Sequence, residues 1–194
     1  MGEELLLVVR ALEFAARRHS AQRRKGLAAE PYVNHLAEVA RLLAEACGGR
    51  DAELVAAGLL HDTLEDTATR AAELEEDFGA AVLSLVREVT DDKSLPRQAR
   101  KRLQVETAGG KSARARMIKI ADKTSNLRSL LASPPVGWAL ARYCGSRRRR
   151  LEYFRWAAQV VERCRGVSPE LEAAFDQAYR EGLVRMRAAA EAVR

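Results

Sequence analysis

Cysteine, aromatic residues and long apolar runs are all scarce in this chain, and each scarcity removes a class of protein. Cys47, Cys144 and Cys164 are the only cysteines among 194 residues. Their number is odd and none stands in a CxxC pair, which argues against a disulfide framework and a zinc knuckle and fits a reducing cytoplasm. No apolar stretch reaches the roughly 20 residues needed to cross a bilayer. The opening MGEELLLVVR sets acidic residues before a short apolar run, unlike the basic start of a secretory signal. A soluble, cytoplasmic protein without a membrane partner is therefore expected. Aromatic residues make up 5% of the chain, and β-branched residues are also sparse. Helix formers dominate, so an all-α fold is expected. The length suits a single domain over residues 1–194, with a core large enough to need no staples. There is no internal repeat, linker or low-complexity tract.

Positive charge, by contrast, is in excess: 33 Lys and Arg face 27 Asp and Glu, a formal net charge of +6. Nucleic acid, an acidic membrane surface and a small polyanionic substrate are all partners that such an excess would serve. Charge alone does not choose among them. The basic residues fall in patches at 17–25, 111–119 and 147–150, each of which also fits a solvated helix face. A basic helical nucleic-acid-binding protein would use residues 97–102 and 147–150 as its footprint. That reading is disfavoured, because the chain has no nucleic-acid-binding motif and few aromatics for stacking.

Apolar spacing predicts where the helices lie. Leu5, Val8, Val9, Leu12, Ala15 and Ala16 form one stripe of a helix over 5–22, and a basic loop punctuated by Gly26 and Pro31 follows. A second helix over 34–47 carries Leu36, Val39, Ala40 and Leu43 inward until Gly48-Gly49 stops it. Asp51 is a suitable N-cap for a third helix that runs to residues 61–62. A turn over 67–70 then leads into a short acidic helix, which Asp77-Phe78-Gly79 separates from another over 80–89. Residues 90–96 read as a loop, 97–108 as a basic helix ended by Gly109-Gly110, and Met117, Ile118, Ile120 and Ala121 lie on the next helix. After Pro134-Pro135 and an arginine-rich segment over 139–150 comes a helix around 151–161. Ser168-Pro169 opens the last helix, running towards Arg194.

One of these helix ends is unusually polar. In GLLHDTLEDT, residues 58–67, the adjacent His61 and Asp62 follow an apolar run, and burying such a pair is costly unless it is paired or coordinated. Glu65 and Asp66 follow one turn beyond. His35 and Asp122 lie on two other predicted helices, and Asn126 falls one turn after Asp122. Packed helices can project such ligands to one internal point. Two imidazoles and two carboxylates suit Mn²⁺ or Fe²⁺, with Zn²⁺ and Mg²⁺ as further candidates, better than a thiolate-seeking ion. The remaining histidine, His19, has no partner motif and reads as structural.

Together these segments resemble the HD-domain metallohydrolases, and within them the hydrolase domain of the RelA/SpoT alarmone enzymes, particularly the small single-domain members of the metazoan SpoT-homologue type. RRKG at 23–26, PYVNHLAEVARLL at 31–43, HDTLEDT at 61–67, VREVTDDKSLP at 86–96, IKIADKTSNLRSL at 118–130 and YFRWAAQVV at 153–161 carry the resemblance. It implies an all-helical HD fold with one divalent cation, usually manganese, held between helices by His35, His61, Asp62 and Asp122. Glu65 and Asp66 would handle the catalytic water. Arg24 and Lys25 would contact base and phosphate, Asn126 and Ser129 the nucleoside, and Tyr32 would line the same wall. The implied reaction removes the 3′-pyrophosphate of guanosine 3′,5′-bis(diphosphate), ppGpp, leaving GDP and pyrophosphate. A phosphohydrolase acting on another nucleotide, such as the 2′-phosphate of NADPH, is the alternative within the class. Self-association stays open. The sequence departs from the family pattern at Leu36, where proline is common, and at Thr124-Ser125, where leucine and an aromatic or histidine are usual.

Overall fold

The computed structural model describes residues 2–133 and 144–191. Its elements are α1 (Gly2–Arg18), α2 (Val33–Ala46), α3 (Ala52–Leu60), α4 (Thr63–Asp66), α5 (Ala71–Val89), α6 (Arg97–Thr107), a 3₁₀ turn (Ala108–Gly110), α7 (Ala113–Ala132), α8 (Cys144–Cys164) and α9 (Pro169–Glu191). The all-α expectation holds among the described residues. The loop between α1 and α2 is pinned by a lone antiparallel bridge between Arg23 and Pro31.

Helix α3 is the centre of the bundle. It is apolar on every side, and every residue from Leu54 to Leu60 is buried, as expected of a helix with no face left for water. Helices α1, α2 and α5 pack around it. At Gly58 an added Cβ would collide with Leu43 Cδ1, so glycine permits the close approach of α2 and α3. The second organising helix is α7, which packs against α2, α5, α8 and α9. Its buried surface is mixed: Ile118, Ile120 and Ala121 lie beside buried Lys119, Asp122, Lys123, Thr124 and Ser125. A helix that buries so much polarity needs internal partners.

The helix ends follow local chemistry. Asp51 Oδ1 accepts from Leu54 N at 3.0 Å, the N-cap expected for α3. Helix α2 ends at two glycines in the left-handed region, φ 59° and 69°, and Gly49 N donates to Ala44 O at 2.8 Å. Ser168 Oγ accepts from Leu171 N at 3.3 Å and caps α9. The expected break at 77–79 is present as a kink: Gly79 takes φ 84°, joining two helical segments of α5.

Three expectations change. Helix α1 turns Ala11, Phe14 and Ala15 inward, leaving Leu5 66%, Val9 52% and Leu12 40% exposed. Phe14 decides this rotation, because its ring meets Phe78 edge-on at 5.3 Å. Helix α1 also ends at Arg18, four residues early. Helix α8 starts at Cys144, well before residue 151, so part of the arginine-rich segment is helical. Pro134, Pro135 and residues 139–143 lie outside the described residues, as do residues 192–194.

Candidate metal centre and adjoining cavity

The chain leaves α3 at His61 without glycine or proline. Two side chains at the break meet carbonyls that the end of α3 leaves open: His61 Nδ1 lies 2.8 Å from Gly58 O, and Thr63 Oγ1 donates to Leu60 O at 2.6 Å. A carbonyl only accepts, so Nδ1 carries the proton of the neutral ring and Nε2 presents a lone pair. That Nε2 is buried and has no hydrogen bond of acceptable geometry, although Asp62 Oδ2 lies 3.1 Å from it.

His35, in the first turn of α2, aims its Nε2 at the same point. It lies 3.4 Å from Asp122 Oδ1 and 3.7 Å from Asp62 Oδ2. Asp122 Oδ1 is in turn 3.9 Å from His61 Nε2. Ligand atoms of His35, His61 and Asp62 fall within 4.8 Å of one another, and Asp122 closes the group from α7. Four Lewis-basic atoms thus crowd a buried point at the negative, C-terminal end of α3. Two imidazole nitrogens and two carboxylate oxygens at these separations make a donor set that fits a divalent metal.

Electrostatics favour positive charge at this point, whether a proton or a metal ion. Burial lowers His61, but the carboxylates of Asp62 and Asp122 outweigh it and push it up to about 9. Burial alone would raise both aspartates. The His61 ring beside Asp62 and the Lys123 ammonium beside Asp122 instead hold them far below the usual carboxylate range. His35 is lowered, chiefly by burial.

The supporting residues come from distant segments. Tyr32 Oη donates to Asp62 Oδ2 at 2.6 Å, so Tyr32 does more than line a wall. His19 stacks on the Tyr32 ring with centroids 5.0 Å apart and bonds Gln22 at 2.7 Å, the structural part read for it. Lys123 Nζ donates to Asp122 Oδ2 at 2.9 Å and lies 4.6 Å from the Trp156 ring centroid. Asn126 Nδ2 donates to Asp122 Oδ1 at 2.5 Å. Ser125 and Glu38 approach His35 from behind. Glu38 and Ser125 carry no spacing signal in the sequence, because each finds its partner only through the packing of α2 and α7, and Lys123 meets Trp156 only where α8 packs on α7.

The cluster opens into a polar cavity of about 160 Å³ lined also by Glu65, Asp91, Gln104 and Lys119. Glu65 accepts from Asp91 N at 3.2 Å and from an Arg100 guanidinium nitrogen at 3.3 Å. Burial first, then the Asp91 charge, raises it above the ordinary glutamate value. Asp66 takes a different position. It pairs with Lys93 and lines a second cavity of about 310 Å³, so the two acids, adjacent in sequence, face different spaces. Arg24, Lys25, Tyr32, Asn126 and Ser129 all line the larger cavity, and Arg24 bonds Asn126 Oδ1 at 2.8 Å. Arg97, read in the sequence only as part of a nucleic-acid footprint, and Tyr153, not given a site role there, also line it. Tyr32 and Asn126 line both cavities. They form the wall between metal cluster and basic pocket.

A buried histidine-aspartate cluster between helices, opening on a basic pocket, defines a helical metallohydrolase-type site. A family model described as HD domain matches residues 11–145, and the chain belongs to the HD domain family. It is 47% identical over 181 residues to the guanosine-3′,5′-bis(diphosphate) 3′-pyrophosphohydrolase MESH1 of Homo sapiens, covering 93% of this chain and 97% of that one. Its Drosophila melanogaster counterpart is 47% identical over 171 residues, covering 88% and 91%. The guanosine-3′,5′-bis(diphosphate) 3′-pyrophosphohydrolase of Aquifex aeolicus is 40% identical over 126 residues, which are 63% of this chain and 18% of that larger protein. Among solved structures, a metazoan orthologue of SpoT that hydrolyses ppGpp aligns with a TM-score of 0.82 at 43% identity, over 90% of this chain and 94% of its own.

Proposed function

We propose that the protein is a manganese-dependent phosphohydrolase that removes the 3′-pyrophosphate of ppGpp, leaving GDP and pyrophosphate. The observation that carries this reading is the contact of two cavities across Tyr32 and Asn126. One is lined by His61, Asp62 and Asp122 of the four-residue cluster; the other is basic and, at about 310 Å³, within the range of small-ligand sites. The identity to ppGpp hydrolases over nearly the whole chain supports the substrate.

His35, His61, Asp62 and Asp122 hold the ion. When bound, a divalent cation lowers the pKa of water and polarises a phosphoryl oxygen. Water attacks the phosphorus bonded to O3′, the P–O3′ bond breaks, and pyrophosphate keeps the water oxygen. Glu65 receives one proton of the water, and the leaving O3′ takes up a proton from solvent to become the 3′-hydroxyl of GDP. Its raised pKa makes it a better base than an exposed glutamate, while Arg100 and the Asp91 amide hold its two oxygens. Asp66 orients the reacting groups from the basic side. Arg24 and Lys25 hold phosphate by charge-assisted hydrogen bonds, offsetting negative charge in the transition state. Asn126 and Ser129 contact the nucleoside, and Tyr32 fixes Asp62 while lining the pocket.

The test is to incubate purified protein with ppGpp and, separately, with NADPH, with and without Mn²⁺, and to identify the phosphate species released. Pyrophosphate from ppGpp is expected, abolished by chelation and by His61→Ala or Asp62→Ala. Intact ppGpp in the presence of manganese would overturn the reading. Faster phosphate release from NADPH would move it to the alternative substrate.

A further inference from the structure

Behind His35, on the side away from the metal cluster, a second chain of hydrogen bonds crosses from α7 to α2. His35 Nδ1 lies 2.9 Å from Ser125 Oγ, Ser125 Oγ donates to Glu38 Oε2 at 2.7 Å, and an Arg128 guanidinium nitrogen donates to Glu38 Oε1 at 3.0 Å. Ser125 is 1% exposed and His35 4%. Glu38 lines an open cavity of about 170 Å³ with Asn34 and Arg128. Burial would raise Glu38, but Ser125 and Arg128 together hold it lowered, so it stays an acceptor.

The direction of this chain matters. A serine hydroxyl has one hydrogen, and here it goes to a carboxylate that only accepts. Toward His35, Ser125 can therefore only accept, so Nδ1 must donate. The opposite arrangement has strong competition: Nε2 lies 3.4 Å from Asp122 Oδ1 and 3.7 Å from Asp62 Oδ2, and an imidazole free to choose would turn its proton toward those carboxylates. A ring protonated at Nε2 has no lone pair for a metal there. His61 is held in its ligating form by a backbone carbonyl, which no side-chain substitution removes. His35 has no such carbonyl partner, and a side-chain relay takes its place.

We propose that Glu38 and Ser125 are positioning residues that hold His35 in the tautomer with a free Nε2 and so lower the cost of metal binding. The proposal rests on the metal-binding part of the proposed function. It also gives a use to Ser125, one of the positions at which the sequence departs from the pattern it resembles. Outer-shell partners of this kind typically change metal affinity by about 10- to 100-fold.

Two measurements at one fixed pH test it. The first is the Mn²⁺ dissociation constant, by calorimetry, of the unaltered protein, Ser125→Ala, Glu38→Ala and the double variant. Ser125→Ala is expected to weaken binding by about 10- to 100-fold. Glu38→Ala should also weaken it, because the freed hydroxyl can then donate to Nδ1, and its effect should vanish in the Ser125→Ala background. The second is the ring ¹⁵N spectrum of metal-free protein. His35 should carry its proton on Nδ1 in the unaltered chain and shift towards Nε2 in both single variants, while His61 stays unchanged. Ser125→Thr, which keeps the hydroxyl, should restore both readouts. Glu38 is half-buried on an open cavity, so Glu38→Ala keeps the test open if Ser125→Ala fails to fold. Equal Mn²⁺ affinity in all variants, or an unchanged His35 spectrum, would overturn the relay. Absence of Mn²⁺ binding by the unaltered protein would instead overturn the metal reading beneath it.

Discussion

At the scale of single residues, Glu65 and Asp66 differ in the work their surroundings allow. Glu65 faces the cavity beside the histidine-aspartate cluster with a raised pKa, whereas Asp66 pairs with Lys93 on the side of the basic pocket. Replacing Glu65 by glutamine is expected to lower kcat by about 10² to 10⁴ while leaving bound manganese unchanged, measured by metal analysis beside ppGpp turnover. A pH profile adds an independent check. A general base must be ionised, and a raised pKa moves the loss of the ionised form to higher pH. The acid limb of kcat/KM should therefore fall above the ordinary glutamate value of 4.5 and disappear in Glu65→Gln. That His61, Asp62 and Asp122 would meet inside the fold was legible because polar residues ending or interrupting apolar runs need a partner. Lys123 and Ser125 were not, since a buried lysine or serine has no signature until Trp156, Asp122, Glu38 and His35 are seen around it.

At the scale of elements, the helices are held by close packing and end chemistry. Gly182 on α9 faces Phe154 of α8 so closely that an added Cβ would overlap the ring. Gly182→Ala should destabilise the fold by about 1–3 kcal/mol, read as a lower urea midpoint at unchanged m-value. Asp51 both caps α3 and pairs with Arg114 at 2.5 Å. Its replacement by alanine should cost about 0.5–2 kcal/mol in the same measurement. Element positions were largely legible, because Gly48-Gly49, Asp51, Gly79 and Ser168-Pro169 announce ends by local rules. The inward face of α1 was not, since apolar residues occur on two adjacent stripes and only the Phe14–Phe78 contact selects one. The early start of α8 was hidden for a related reason. A run of arginines supplies no apolar period, yet Arg148 pairs with Glu152 one turn on at 2.8 Å.

At the scale of the whole molecule, the proposed metal ligands join α2, the end of α3 and α7, helices whose packing forms much of the core. Binding an ion there should stabilise all of them at once. At about 100 times its dissociation constant, Mn²⁺ adds about 2.7 kcal/mol, which for a chain of this size raises Tm by about 5–11 °C. Differential scanning calorimetry should show that shift, chelator should reverse it, and Asp62→Ala should abolish it. The basic excess also finds a place at this scale: Arg24, Lys25 and Arg97 converge on one pocket from two segments, the loop after α1 and the start of α6. No described helix is long and apolar enough to cross a membrane.

Composition, caps and apolar periodicity determined by themselves that the chain is helical, roughly where its helices run, and which histidines and aspartates needed a partner. These depend on neighbours within a turn or two, so one-dimensional spacing expresses them. Tertiary structure alone decided that α2, the end of α3 and α7 bring His35, His61, Asp62 and Asp122 together, that Glu65 and Asp66 part company, and that Glu38 reaches His35 through Ser125. Each of those depends on the angle and rotation at which helices far apart in sequence pack. That is settled by the shapes of buried side chains such as Phe14, Leu43 and Phe154, not by any local preference of the residues that benefit.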